Sequence, residues 1–549
     1  MRAKTILLGA LALGLCACTN DDNLTEGNDK LAAATDGVYM KFNIALPTSD
    51  GTRSATSTEE EDDYVVSTGG VEVGTDDENN INSLLVVLTD PEKEDSYIAS
   101  VEATIGSADL TKVGDQTYVL RFDGEELTKY EGETVNVYVY CNPVSSLPTD
   151  MFEADGTYTI SDASDDAVWK SGSMLMSSAE AHIAELSDLS SHTVVDQPLD
   201  LGTIYVERSV ARFDYKDGSD EENNTYTVGE LYVENDDNTP VTVTLTDMAV
   251  VNMSNSFYYL HRTAADAATP SENGTAIANY SETKLLGVEA SNNWIIDTDA
   301  ASKMGWTSQT DLSTNFSYNL GSDLEWSSLS SLSNLDDPEN WTGESGEDVG
   351  VDKSGYYVWR YVTENTIPSV DDQKQGITTG VVFKGTINVT VDEGTTLYAF
   401  GTTLYAGWDD VAAAVEAASD QTNPLTVAYD KVLEQMELDE NEGTPTADEL
   451  AAADAGISAY TADEDGNYNV YYYYWNRHND NNNNEIMGRM EFAVVRNNVY
   501  KLSVTAINQF GYPEGETPDP DDPDETTEYY FQVDVVILPW VVRLNDITF

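Results

Sequence analysis

Basic side chains are scarce in this chain. Lysine and arginine number 26 against 99 aspartates and glutamates, a formal net charge of -73 over 549 residues. A surface of that sign repels nucleic acid and anionic lipid headgroups within about 8 Å in physiological salt, so no nucleic-acid partner is expected. Histidine is rarer still. His182, His192, His261 and His478 stand apart without an H-E-x-x-H or C-x-x-C companion, so neither a metal nor another cofactor is expected. Cys16, Cys18 and Cys141 are too few for a disulfide framework. No G-x-S-x-G elbow, phosphate loop or G-x-G-x-x-G occurs. The carboxylates are so numerous that no glycosidase-like pair stands out, and no enzyme is expected. Past the N-terminus there is no run of 18 apolar residues, so a lipid rather than a helix would hold the chain at a membrane.

The N-terminus supplies a place for that lipid. In MRAKTILLGALALGLCACTNDD a short basic start precedes an apolar run too short to stay as a membrane span. It reads as an export signal over residues 1–17, ending on Leu15-Cys16-Ala17-Cys18. That stretch resembles the lipobox of bacterial lipoproteins, with Cys18 acylated as the first mature residue. An ordinary signal peptide with chance cysteines is the alternative.

Alternation at period two dominates the rest. In VYMKFNIAL the side chains of Val38, Met40, Phe42, Ile44 and Leu46 point one way and Lys41 and Asn43 the other, which is a half-buried strand. Further strands are predicted in INSLLVVLTD, DQTYVLRFDG, ETVNVYVYCN, GTIYVERSVARFDYK, TPVTVTLTDMAVVN, GVVFKGTINVTVD, NYNVYYYYWNR and NNVYKLSVTAINQFG. Cys141 reads as a buried strand residue, and Tyr471 to Trp475 as a central strand rather than a sugar-stacking platform. DDVAAAVEAASD and LTVAYDKVLEQMELDE are predicted helices inserted between strands, and DDAVWKSGSMLMSSAEAHIAEL a loop with some helix. DPDDPDE, ADEDGN and HNDNNNNE lack the calcium-loop spacing and read as solvated loops. The fold class is therefore mainly β, two sandwich domains with helical insertions. The charged stretch from Asp217 to Asn224 sets the boundary, giving an N-terminal domain over 54–216 and a C-terminal domain over 217–512.

Two segments fall outside that scheme. Residues 513–528 form an acidic, proline-punctuated stretch, read as an extended spacer that displays the C-terminal segment. That segment, 529–549, contains the most apolar run of the chain, with Val533, Val535, Ile537, Leu538, Trp540 and Val542. Such a strand has to be covered, and a second copy of the chain is the expected cover. At the other end, Arg53 is the only arginine between Arg2 and Arg121, in GTRSATS directly after the first strand. An Arg-specific protease cutting between Arg53 and Ser54 would free residues 18–53, lipid and first strand together. Lys41, inside a strand, is the less accessible alternative. Cleavage removes the local concentration that keeps the first strand in its groove, and the apolar tail of a neighbour can take its place. Contacts of that head-to-tail kind build filaments.

The residues also resemble a known family. YMKFNIALP followed by GTR-SA, then GETVNVYVYCN, IYVERSVARF, YVTENT, VVRNNVYKLSVTAINQFG, the acidic spacer and VDVVILPWVV are similar to the Mfa/FimA-like major shaft subunits of type V fimbriae, which are lipoproteins of Bacteroidales-type bacteria. The resemblance implies transthyretin-like sandwiches, lipoprotein export with the precursor held at the outer membrane by its lipid before processing, Arg-directed processing that maps to Arg53, and polymerisation by a donated C-terminal strand. It also implies accessory fimbrial subunits as partners, a cell-surface fimbrium as location, and roles in adhesion and biofilm formation. The extreme acidity and Ser54 after the cut depart from the pattern. The rival readings are a monomeric glycan-binding surface lipoprotein and a tip or accessory subunit.

Overall fold

The computed structural model describes residues 37–45, 72–93, 95–144, 156–164, 166–234, 237–265, 277, 284–286, 293–333, 356–418, 420–438, 443–478, 487–525 and 531–541. Its fold is mainly β, with two large sandwich-like domains, as the period-two pattern requires.

The N-terminal domain uses β1 (Val38–Ala45), β3 (Ser83–Asp90), β4 (Ser96–Thr104), β5 (Leu110–Lys112), β6 (Thr117–Phe122), β7 (Thr134–Cys141), β9 (Met176–Ser178), β10 (His182–Glu185) and β11 (Leu199–Arg208). Two short elements, β2 (Glu72–Val73) and β8 (Thr157–Thr159), join sheets of the other domain. The strand order is β4-β3-β7-β9-β11-β1-β6-β5, with β10 beside β7. The sheet curls so that β4 packs on β6, and Met40, Phe42, Val86, Leu120, Val137 and Ile204 fill the space between. Cys141 is buried in β7 as a free thiol, and burial pushes its pKa up.

The C-terminal domain stacks two sheets. One runs β2-β26-β24-β12-β18, with β12 (Ala211–Asp217), β18 (Tyr357–Val362), β24 (Asn498–Ile507) and β26 (Phe531–Val541). The other runs β22-β20-β21-β13-β14-β19-β23-β25. Its strands are β13 (Thr225–Leu231), β14 (Thr239–Val251), β19 (Gly380–Asn388), β20 (Leu397–Phe400), β21 (Thr403–Tyr405), β22 (Ile457–Tyr460), β23 (Asn469–Trp475) and β25 (Tyr512–Pro513). Phe213, Tyr215, Leu245, Phe383, Tyr472 and Tyr500 belong to the one core they share. Strand β15 (Ser256–Tyr258) pairs with β8, and β16 (Arg262–Ala265) with β17 (Asn293–Ile296). The domains also meet through β3, whose Leu84 and Val86 enter the first core while Leu85 and Val87 enter the second.

Three expectations need correction. The stretch 165–186, read as a loop with some helix, has a single helical turn at Ala167–Trp169 and beyond it holds strands β9 and β10, because ladder bonds to β7 and β11 outweigh the local propensity of Ala and Glu. The chain passes to the second domain before β12, at Ser209 and Val210, since β12 pairs with β24 and β18. The charged stretch beginning at Asp217 is only a turn inside that domain. Asp217 accepts from the backbone of Ser219 at 2.8 Å and of Asn224 at 2.6 Å, which closes the β12–β13 connection. The predicted helices form as α3 (Trp408–Ala418) and α4 (Pro424–Leu438), joined by α5 (Ala447–Ala453), whose Thr446–Glu449 capping box was not singled out. Earlier short helices include α1 (Asp76–Asn79) and α2 (Ala300–Lys303).

Candidate assembly interface

Strand β1 lies in the middle of its sheet. It runs antiparallel to β6, from Val38 opposite Phe122 to Asn43 opposite Thr117, and parallel to β11, from Met40 opposite Leu199 to Ala45 opposite Tyr205. Val38, Met40 and Phe42 are fully buried and Ile44 nearly so, because alternate residues of a pleated strand share a face. The opposite face is half-exposed, with Lys41 bridged to Asp200 at 2.6 Å and Asn43 accepting from Thr117 at 2.7 Å. Gly37 precedes the strand at φ 103°, a left-handed backbone that favours glycine. Without β1 the domain would keep two unpaired strand edges about 10 Å apart over an open core. Leu46, Cys18, Arg53 and Ser54 lie outside the described residues.

The apolar tail is not displayed at a distance. In the intact chain β26 pairs antiparallel with β24, from Asn498 opposite Pro539 to Ile507 opposite Phe531. Leu538, Ile537 and Val535 stand opposite Val499, Tyr500 and Leu502, and Val533, half-buried, packs on the shared core. On its other side Trp540 faces Glu72 of β2, in the first described segment after Arg53. Val542 lies outside the described residues. The two strands singled out in the sequence thus sit in different sheets, and the chain does not bring them together.

Nor is residue range 513–525 a free spacer. Tyr512 and Pro513 form β25 on β23, Gln375 donates its backbone N–H to Asp522 at 3.0 Å, and Gly376 donates to Pro520 at 2.9 Å. Asp524 is buried, accepts from Thr378 at 2.5 Å, and has its pKa pushed well above the carboxylate range by burial. Proline and acidic composition predicts an extended backbone correctly, but a row of backbone bonds docks it.

Where the chain crosses between domains, the quoted motifs converge. Arg212 contacts Glu78 of α1 at 2.9 Å and Asp214 at 2.8 Å, all three buried, and Tyr361 donates to Glu78 at 2.7 Å. Burial alone would raise the Glu78 carboxyl; Arg212, Arg208 and the Tyr361 hydroxyl outweigh it and hold the pKa low. Arg496 forks onto Glu364 at 2.9 and 3.2 Å, and Glu207 lies 2.7 Å from Nδ1 of His261. Residues of VERSVAR, YVTENT and VVRNN thus carry buried ion pairs near the point where the chain passes from one sandwich to the other. Their roles were not legible in the sequence; the signal was charge inside otherwise apolar strands. Among the described residues, no three His, Cys, Asp or Glu side chains are grouped to hold a metal ion.

Fold and site together define a protein of two β-sandwiches with both terminal strands built into sheets. Residues 466–546, which hold β23, β24 and β26, match the family of the major fimbrial subunit protein type IV, fimbrillin, C-terminal. Over those residues the likeness to fimbrial subunits read from the motifs is borne out. No curated protein matches the chain. Among solved structures, a fimbrilin from Porphyromonas gingivalis is 13% identical, with 92% of this chain and 98% of that one covered at a TM-score of 0.34. The tip fimbrial protein Mfa3 from the same species, with a C-terminal truncation, is 9% identical, with 92% and 100% covered at 0.30. A fimbrial assembly protein from Parabacteroides distasonis is 10% identical, with 64% and 100% covered at 0.23.

Proposed function

We propose that the chain is the shaft subunit of a cell-surface fimbrium, exported as a lipoprotein on Cys18 and activated by an Arg-specific cut between Arg53 and Ser54. The cut separates β1 from the body, and β26 of a neighbouring copy enters the groove between β6 and β11. The observation that supports this most is the position of β1: mid-sheet, with its apolar face in the core, and joined to the domain it completes only through residues 46–71. Such a strand can be exchanged as a unit once it is cut, whereas an edge strand would leave no groove. In the uncut chain β26 is held on β24, so each subunit would carry its donor strand stored. The fibre would serve adhesion and biofilm formation, with accessory subunits closing its ends.

The reading is tested by incubating the purified chain with an Arg-specific protease and running unboiled gels. A ladder is expected from the natural chain and none from Arg53→Ala or from a chain ending at residue 525. Truncated chain that still forms the ladder would rule out β26 as donor.

A further inference from the structure

We propose that Lys303 and Asn365 form an intramolecular amide cross-link, promoted by Asp297, that braces the C-terminal domain covalently. All three side chains are buried to within 1% of full enclosure. Asp297 follows β17, Lys303 ends α2, and Asn365 lies beyond β18, paired through its backbone with Val494. Lys303 Nζ contacts Asp297 Oδ2 and donates to Asn365 Oδ1 at 2.7 Å, which places the amine beside the Cγ of the carboxamide. Apolar groups flank the amine, with the Phe316 ring centroid 5.5 Å from Nζ and Ile367 and Ile377 in the same cluster, while the Asp299 carboxyl also interacts with Lys303 and Asp297.

The arrangement fits amide exchange better than it fits an inert ion pair. The reaction begins with the Lys303 ammonium handing one proton to the Asp297 oxygen it touches, which leaves an amine with a free lone pair and a carboxylic acid beside it. The carboxyl is oriented for this by the Thr366 N–H, 2.7 Å from Oδ2, and the Asp299 N–H, 3.0 Å from Oδ1. The lone pair on Nζ then attacks Cγ of Asn365. Nδ2 is held by the carbonyl of Ile377 at 2.9 Å and the hydroxyl of Thr379 at 2.8 Å, which keeps the departing nitrogen in place. Asp297 gives its proton to Nδ2 and takes the one that Nζ sheds. The Cγ–Nδ2 bond breaks, ammonia leaves, and an Nζ–Cγ amide remains with Asp297 neutral. Nothing is oxidised and no further reactant is needed. Fixed proximity replaces the activation that such a reaction needs in solution.

The bond would tie the 256–333 region to the segment that runs into the Glu364–Arg496 pair, in a domain whose described residues include no cysteine. For a subunit loaded along its length, a covalent brace at that point resists pulling where hydrogen bonds alone would yield.

Intact-mass spectrometry of the purified, unexported chain decides the matter. The expected mass is lower than the sequence value by one ammonia, and digestion should give one branched peptide containing Lys303 and Asn365. Lys303→Met should restore the sequence mass. In Asn365→Asp the molecule lost should be water instead, and Asp297→Asn should leave the chain linear. A folded natural chain with the full sequence mass and separate linear peptides would overturn the cross-link. Loss of ammonia that persists in Asn365→Asp would overturn it as well, and a branched Asp297→Asn chain would overturn the role of Asp297.

Discussion

His478 shows how burial sets a residue's chemistry here. It is enclosed beside Tyr500, whose hydroxyl stands 2.8 Å from Nδ1 and also accepts from the Val495 backbone at 2.9 Å. Burial pushes its pKa from 6.5 down to about 4. The folded chain therefore binds this proton only in strong acid, while the unfolded chain binds it as pH drops below 6.5. Stability from this residue is complete above that pH and is lost on the way down to about 4, by up to about 3 kcal/mol. Urea unfolding across that window should show the loss in the natural chain and a flatter profile in His478→Gln. An equal slope in both would place the effect elsewhere. None of this was legible in the sequence, where His478 reads only as an isolated histidine among asparagines. The same holds for Arg496 and Glu364, which lie 132 positions apart and meet only through the fold. The apolar face of β1 was legible because its period is local: four of its five predicted side chains can be followed, and all four are buried.

At the level of elements, what makes β1 a good strand is also what opposes its exchange. Phe42 is fully buried against Tyr118, ring centroids 6.3 Å apart. Trimming it to alanine in the uncut chain should cost about 3 to 5 kcal/mol, the usual range for a buried phenylalanine. If β1 leaves before assembly, the same change should speed ladder formation after the Arg53 cut and leave the finished polymer as heat-resistant as the natural one. A polymer weakened by Phe42→Ala would mean that β1 stays in place. Strand positions such as β14, β19 and β24 were readable because their alternation or continuous apolar run matches the pleat. The strands within 176–185 and the docking of 513–525 were missed because neighbours distant in sequence decide them. Strand β7 captures the first, and the backbone of Gln375 and Gly376 captures the second. Storage of β26 on β24 was hidden for the same reason, since an apolar strand advertises the need for cover but not which edge supplies it.

On the scale of the whole molecule, apolar strand exchange has to overcome charge. The full chain carries a formal charge of -73, nearly all of it beyond residue 53, so two approaching subunits repel one another over the distance at which salt fails to screen them. That distance is about 30 Å near 0.01 M salt and about 8 Å near 0.15 M. Donation of β26 is a contact of strand length, roughly 20 to 35 Å, so at low salt the repulsion acts through the entire docking step and at physiological salt only at its end. The bound state is affected less, because the backbone ladder and buried apolar face do not depend on salt. Once cut after Arg53, the chain should therefore polymerise slowly in dilute buffer and several-fold faster near 0.15 M sodium chloride, with the disassembly rate almost unchanged. Light scattering after the protease is quenched measures both rates. If assembly slows as salt rises, complementary charges steer the encounter, and the few lysines and arginines must then be concentrated where one subunit meets the next.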